Sequence, residues 1–98
     1  AEYSAARSFV YDVARRMDLR LTGQRVAADA TKLFASQVGK RVADNAIQVL
    51  GGNGYMGEYV VERLWRDAKL LEIGGGTLEA HHKNISKDLC RDPSGIRG

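Results

Sequence analysis

Cysteine is nearly missing from this 98-residue sequence: Cys90 stands alone, so no internal disulfide can staple the fold. That usage fits a reducing compartment. Cys90 also has no activating neighbour beyond Arg91 and reads as inert. The single proline, Pro93, sits in Asp92-Pro93-Ser94-Gly95, turn chemistry that closes the fold. No apolar run approaches the length needed to cross a bilayer. The opening residues AEYSAARSF lack both the charged start and the apolar stretch of a signal peptide. An initiating Met is missing too, as expected of a processed product or a piece of a longer chain. Charge of one sign is not in excess: a net +3 leaves acids and bases interleaved, the pattern of solvated helix faces. The composition, 44% hydrophobic and 28% charged, is that of a soluble globular protein rather than a disordered one. A chain this short makes one domain or part of one, near the limit of independent stability.

What is present is helical periodicity. Val10, Val13, Met17 and Leu21, extended by Ala6 and Ala14, predict a first helix over 5–21, with Thr22-Gly23 as its stop. A stripe of Ala30, Leu33, Phe34, Val38, Val42, Ala46 and Val49 predicts a second helix over 24–50, about 40 Å long. Within it Gly39 costs about 1 kcal/mol against Ala, which close packing of a neighbouring helix would offset. Gly51 to Gly57 holds four glycines in seven residues and reads as a loop. Val61, Leu64, Ala68 and Leu71 predict a third helix over 59–73, ended by Gly74-Gly75-Gly76. Thr77 is a good N-cap for a fourth, with Glu79 in its first turn and Leu78, Ile85 and Leu89 on its apolar edge. The expectation is an all-α fold of about four helices, with no strand or repeat. Trp65 and Phe34 read as core or interface anchors.

Two glycine clusters stand out chemically. Gly52-x-Gly54-x-x-Gly57 has the letters of a dinucleotide fingerprint but follows a helix, not the strand of a βαβ unit that its mechanism requires. It is either a plain inter-helix loop or a place where backbone approaches a ligand. Gly74-Gly75-Gly76-Thr77 leads into a helix N-terminus, where free N–H groups and the dipole suit an anion; an ordinary capped turn is the alternative. There is no P-loop lysine. His81-His82 are adjacent, project about 100° apart and do not suit one metal ion, so no metal site is expected. No catalytic Ser/His/Asp or Cys/His set emerges from the spacings.

Three stretches resemble the acyl-CoA dehydrogenase family. Ala46-Ile47-Gln48-Val49-Leu50-Gly51-Gly52-Asn53-Gly54-Tyr55 is similar to its A-x-Q-x-x-G-G-x-G-Y. Val61-Glu62-Arg63-Leu64-Trp65-Arg66-Asp67-Ala68-Lys69 is similar to V-E-[KR]-x-x-R-D-[AS]-[KR], and Ile73 to Glu79 to I-x-[EAG]-G-T-x-[EQ]. The order and intervals agree, and the resemblance covers residues 5–89. It implies that residues 1–98 are the later helices of an up-and-down C-terminal bundle, with the bundle's first helix and the N-terminal helical and β-barrel domains absent from this chain. The long second helix should then have an unfilled apolar face, and the isolated chain should self-associate or exchange helices.

The resemblance also implies a parent enzyme that oxidises an acyl-CoA thioester to the 2,3-enoyl-CoA with FAD. Gln48, Val49, Leu50, Gly51 and Gly52 match one FAD-contacting segment, of a flavin held mainly by the neighbouring subunit. Thr77, Leu78 and Glu79 match a second. Gly75 and Gly76 match positions lining the acyl-CoA thioester end. Many members carry at the position of Gly75 the glutamate that removes the α-proton; glycine cannot, so no catalytic residue is assigned and the base is expected outside this chain, an inactive homologue being the alternative. The loss of side chains at Gly74 and Gly75 suggests a bulky or branched acyl group. A homo-oligomer (dimer or tetramer), an electron-transfer flavoprotein as acceptor, and a bacterial cytoplasmic or mitochondrial matrix location follow by the same resemblance. The competing readings are a basic helical module binding nucleic acid through Arg15, Arg16, Arg20 and Arg25, and a non-catalytic oligomerisation bundle.

Overall fold

The computed structural model describes residues 1–21 and 23–91. It contains α1 (Glu2–Asp18), α2 (Arg25–Leu50), α3 (Gly52–Tyr55), α4 (Val60–Leu71) and α5 (Leu78–Arg91), and among the described residues no strand. The all-α expectation holds. The break expected at Thr22 and the turn expected at Asp92 to Gly95 lie outside the described residues.

α1 starts earlier than the spacing predicts, with Glu2 in its first turn where the dipole favours an acid. It also stops earlier, before the glycine. Arg20 takes φ +56, its N–H donates to the Met17 carbonyl (3.0 Å), and the Leu21 N–H donates to the Arg16 carbonyl (3.2 Å). This is a Schellman cap with arginine where glycine is usual. The expected α1 stripe is also rotated. Ala6 and Val13 are buried and Phe9 meets Phe34 across α2 (centroids 6.2 Å apart), while Val10, Met17 and Leu21 are exposed.

α2 is the organising rod. Its ties to α1 run Glu2 to Arg41 (3.0 Å) and Phe9 to Phe34; to α5 they run Arg25 to Asp88 (3.9 Å) and Asp29 to His81 (2.7 Å). In both pairs the residues fall in opposite order, so both helices lie antiparallel to α2. α4 is antiparallel as well, with Lys40 and Asp44 at Trp65 and Gly39 opposite Ala68. α4 therefore covers the C-terminal half of α2 and α5 the N-terminal half, in series along one rod. α1, α4 and α5 all pack on α2, and none of the three packs on another.

An arrangement with one shared axis buries little. The buried apolar residues among those described are Ala6, Val13, Val38 and Ala68, none larger than valine. The accessible surface is 7084 Å², against about 5500 Å² for a compact monomer of this mass. The radius of gyration is 16.0 Å, against about 13 Å for a compact chain of this length. The unfilled apolar surface that the resemblance led us to expect on α2 is found toward its C-terminal end, and it extends onto α1 and α4. The N-terminal half of α2 is covered. The exposed residues are Val42, Val49 and Leu50 toward its C-terminal end, Val10 and Met17 on α1, and Leu64, Leu70 and Leu71 on α4. Val10, Val13, Ala14 and Met17 also line an open apolar groove of about 430 Å³ with Ala28, Ala35 and Leu71. Gly39 likewise departs from expectation: a Cβ there would meet nothing within 4 Å. No helix comes close at that point, and a cavity of about 230 Å³ separates it from Leu64 and Ala68.

Candidate functional site

The two glycine clusters occupy different places on α2. Gln48, Val49 and Leu50 form its last turn, and all three are exposed, Val49 by 84%. Gly51 ends the helix at φ +61, ψ −135, its N–H bonded to the Gln48 carbonyl at 3.2 Å. The expected loop then holds one turn of helix, α3, whose glycines were the reason to expect none. Gly54 explains the exception. A Cβ there would stand 2.6 Å from the Ile47 carbonyl oxygen and 2.9 Å from its Cα, so glycine lets α3 lie directly on the end of α2. Gln48, Val49, Leu50, Gly51 and Gly52 thus present an uncovered edge of amide, apolar side chains and bare glycine backbone.

Behind that edge lies a pocket of about 540 Å³ lined by Asp44, Ile47, Gly54, Tyr55, Glu62, Trp65 and Arg66. The Lys40 ammonium sits 4.3 Å from the centre of the Trp65 ring and 2.9 Å from Asp44 Oδ1. Trp65 Nε1–H donates to the same carboxylate. The Lys40 bond first, and the Trp65 bond second, hold the Asp44 carboxyl below the usual carboxylate range. Arg66 forks onto both oxygens of Glu62 (2.6 and 3.3 Å), which raises its pKa. Every charge lining this pocket is thus paired within the chain.

The second cluster joins α4 to α5. Gly75 (φ +72) and Gly76 (φ +121) lie in backbone regions that L side chains rarely adopt. A Cβ at Gly75 would meet nothing within 4 Å, so that position opens outward. Thr77 caps α5 as expected, its Oγ1 accepting the Ala80 N–H at 3.1 Å. The cap satisfies one of the four N–H groups that a helix start leaves without intrahelical partners. Leu78 is half-buried, and Glu79 is exposed in the first turn.

The structure adds Lys32, Asp29 and Glu72, which the sequence pattern did not single out, and gives His81 a partner that local spacing did not show. Lys32 Nζ donates to the Gly76 carbonyl at 3.1 Å. His81 is buried, and its Nδ1 lies 2.7 Å from Asp29 Oδ1, while its neighbour His82 is exposed. His81 Nε2 is buried with no hydrogen-bond partner, a deficit worth about 1–3 kcal/mol. Glu72, buried at the end of α4, pairs with Lys69 at 3.3 Å. Only the 52-residue separation of Asp29 from His81 hid that pair from a reading of local spacing.

The two predicted clusters do not converge. Lys32, at the α5 cap, and Gln48 are 16 residues apart on α2, or about 24 Å along the rod. Among the described residues no group of three or more His, Cys, Asp or Glu could hold a metal ion. Within the same residues no helix is long and apolar enough to cross a membrane. The basic stretch from Arg7 to Arg25, which runs from α1 to the start of α2, is partly paired. Asp12 pairs with Arg15 (3.1 Å) and Arg16 (3.2 Å), Arg7 lies over Tyr11, and Arg25 pairs with Asp88.

Comparison with known proteins matches residues 1–90 to the family model described as acyl-CoA dehydrogenase, C-terminal domain. A mitochondrial isovaleryl-CoA dehydrogenase of Oryza sativa is 47% identical over 88 residues, 90% of this chain and 21% of the relative. A cyclohexane-1-carbonyl-CoA dehydrogenase of Geobacter metallireducens is 38% identical over 88 residues, 90% of this chain and 23% of the relative. Among solved structures, an acyl-CoA dehydrogenase from Mycobacterium smegmatis superposes with a TM-score of 0.88 at 35% identity, over 93% of this chain and 24% of its own. A chain in a structure of the electron transferring flavoprotein of Acidaminococcus fermentans gives 0.84 at 36% identity, over 93% and 24%. The chain therefore spans less than a quarter of the length of each of these relatives.

Proposed function

Because this chain belongs to the acyl-CoA dehydrogenase family, within its C-terminal domain, we propose that its parent polypeptide is an FAD-dependent oxidoreductase converting an acyl-CoA to the 2,3-enoyl-CoA. The chain supplies the later helices of the C-terminal bundle, and the N-terminal helical and β-barrel domains belong to the rest of the parent. The observation that carries this reading is the α4–α5 turn: bare glycine backbone, opening outward at Gly75, runs into a Thr77-capped helix start whose remaining N–H groups suit an anionic or hydrogen-bond-accepting ligand.

The residues present fit a flavin in two places. Thr77, Leu78 and Glu79 would hold one FAD through the α5 start. Gln48, Val49, Leu50, Gly51 and Gly52 would contact a second, held mainly by a neighbouring subunit. The separation of about 24 Å along α2 supports two flavins, and a homo-oligomer is what brings the second to this chain. FAD supplies the acceptor for the hydride that leaves the β-carbon. Gly75 and Gly76 line the acyl-CoA end, and Gly75 leaves room beside it. With no carboxylate at Gly75, the base that takes the α-proton comes from the rest of the parent.

The missing side chain at Gly75 favours a branched or bulky acyl group, whereas a Cβ at Gly74 would meet the Leu70 carbonyl at 3.2 Å and opens no such space; the names of the rice and Geobacter relatives agree with that class. An electron-transfer flavoprotein is the proposed acceptor of the electrons. The mitochondrial matrix, or the bacterial cytoplasm, is the proposed location.

The test is the visible absorption of the full polypeptide before and after anaerobic addition of isovaleryl-CoA and of a straight-chain acyl-CoA. Flavin bleaching, faster with the branched thioester, is the expected result. A colourless protein indifferent to FAD would refute the reading, and bleaching by short straight chains alone would refute the branched-substrate part.

A further inference from the structure

The turn that presents Gly75 and Gly76 is built from residues with no side chain to fasten it. Glycine loses more conformational freedom on folding than any other residue, so a fixed path here must be imposed by neighbours. Two come from α2. Lys32 takes the Gly76 carbonyl directly. Asp29, one helical turn earlier, takes His81, and His81 in turn lies against Gly76 from below, its Nε2 3.0 Å and its Cε1 3.2 Å from where a Cβ would stand.

The Asp29 carboxylate keeps the ring proton on Nδ1, which fixes both the tautomer and the plane of the imidazole. The ring is 10% exposed and Asp29 18%. It has nowhere else to turn, and its unpartnered Nε2 faces the glycine rather than solvent.

The geometry points to His81 as a positioning residue. Oriented by Asp29, it sets the path of Gly75-Gly76-Thr77 and so the acyl-CoA end of the site, a role that rests on the function proposed above. Its action is through the backbone it supports, without touching the substrate.

The experiment uses the full polypeptide as wild type, His81→Ala, Asp29→Ala and Asp29→Asn. Asparagine keeps an acceptor for Nδ1–H and should restore what alanine removes. Two quantities are read: amide hydrogen exchange of the segment 74–80, and kcat and KM for isovaleryl-CoA. Both alanine variants should speed exchange in that segment about tenfold and raise KM about tenfold, with kcat changed by less than about twofold. Exchange in α1 and α4 should stay as in wild type, because neither helix packs on α5. Wild-type exchange and KM in both alanine variants would overturn the inference. So would a fall in kcat at constant KM, or faster exchange spread through every helix. If wild type leaves isovaleryl-CoA untouched, the functional reading falls separately, and the exchange measurement still decides whether His81 and Asp29 brace the turn.

Discussion

Alanine at Gly54 and at Gly52 should have opposite effects although the two glycines share one helical turn. At Gly54 the added methyl would meet the Ile47 backbone at 2.6 Å (oxygen), 2.9 Å (Cα) and 3.1 Å (carbonyl carbon). These are main-chain atoms of α2 and cannot swing aside, so α3 has to lift off. Overpacking of this kind costs about 1–3 kcal/mol. Alanine's better helix propensity returns up to about 1 kcal/mol, leaving a net loss of about 1–2 kcal/mol. At Gly52 a Cβ meets nothing within 4 Å, and φ is not positive. Only the propensity gain remains there. Urea unfolding followed by circular dichroism measures both. With a slope of about 1 kcal/mol per molar urea for a chain this small, Gly54→Ala should lower the midpoint by about 1–2 M, and Gly52→Ala should hold or raise it. The difference between the variants isolates the contact with Ile47. Equal shifts in the same direction would show that α3 does not rest on α2 as described.

Arg20→Gly should stabilise the chain by about 1 kcal/mol, since a non-glycine residue in the left-handed region costs about that much; an unchanged urea midpoint would contradict the cap at the end of α1. Thr77→Ala should cost about 1 kcal/mol through loss of the Ala80 bond and Thr77→Ser should recover most of it, as read by exchange of the α5 amides. The depressed Asp44 pKa means that its ionised form is favoured by folding. Its contribution is complete above the unfolded value of 3.8 and is lost as pH falls through the lower folded value. Trp65 is the only tryptophan, so its fluorescence should change with a midpoint below 3.8 in wild type and lose that step in Asp44→Asn. The isolated chain should self-associate through its exposed leucines, valines and methionines, each worth about 1.5–3 kcal/mol when buried. Light scattering that reports a compact monomer at every concentration would contradict this.

Much of this was readable before the structure. Long stretches with a 3.6-residue period put α2, α4 and α5 within a few residues of their bounds, and Thr77 announced the α5 cap because its hydroxyl and the helix start are neighbours in sequence. What escaped depended on contacts between distant residues or on backbone conformations that residue type does not favour. Arg20 carries no local sign that it will turn left-handed. Phe9 replaced Val10 as the inward residue because Phe34 was waiting across α2. α3 formed in a run of glycines because one of them was needed to let it rest on Ile47. The candidate site divided in the same way: its glycines and its threonine stood out, while Lys32, Asp29 and His81 became part of it only when α5 was laid along α2.

The single-rod design of α2 carries a constraint on how such a chain can change length. Inserting or deleting one residue between Lys32 and Gln48 would move one end by about 1.5 Å and rotate it about 100° relative to the other. Asp29 and Lys32 would then face away from α5 whenever Ile47 still faced α3. Substitutions along the rod can be absorbed one at a time, but a single-residue insertion or deletion cannot. Changes of one or two residues are therefore expected to be tolerated in the joints between helices and not within α2.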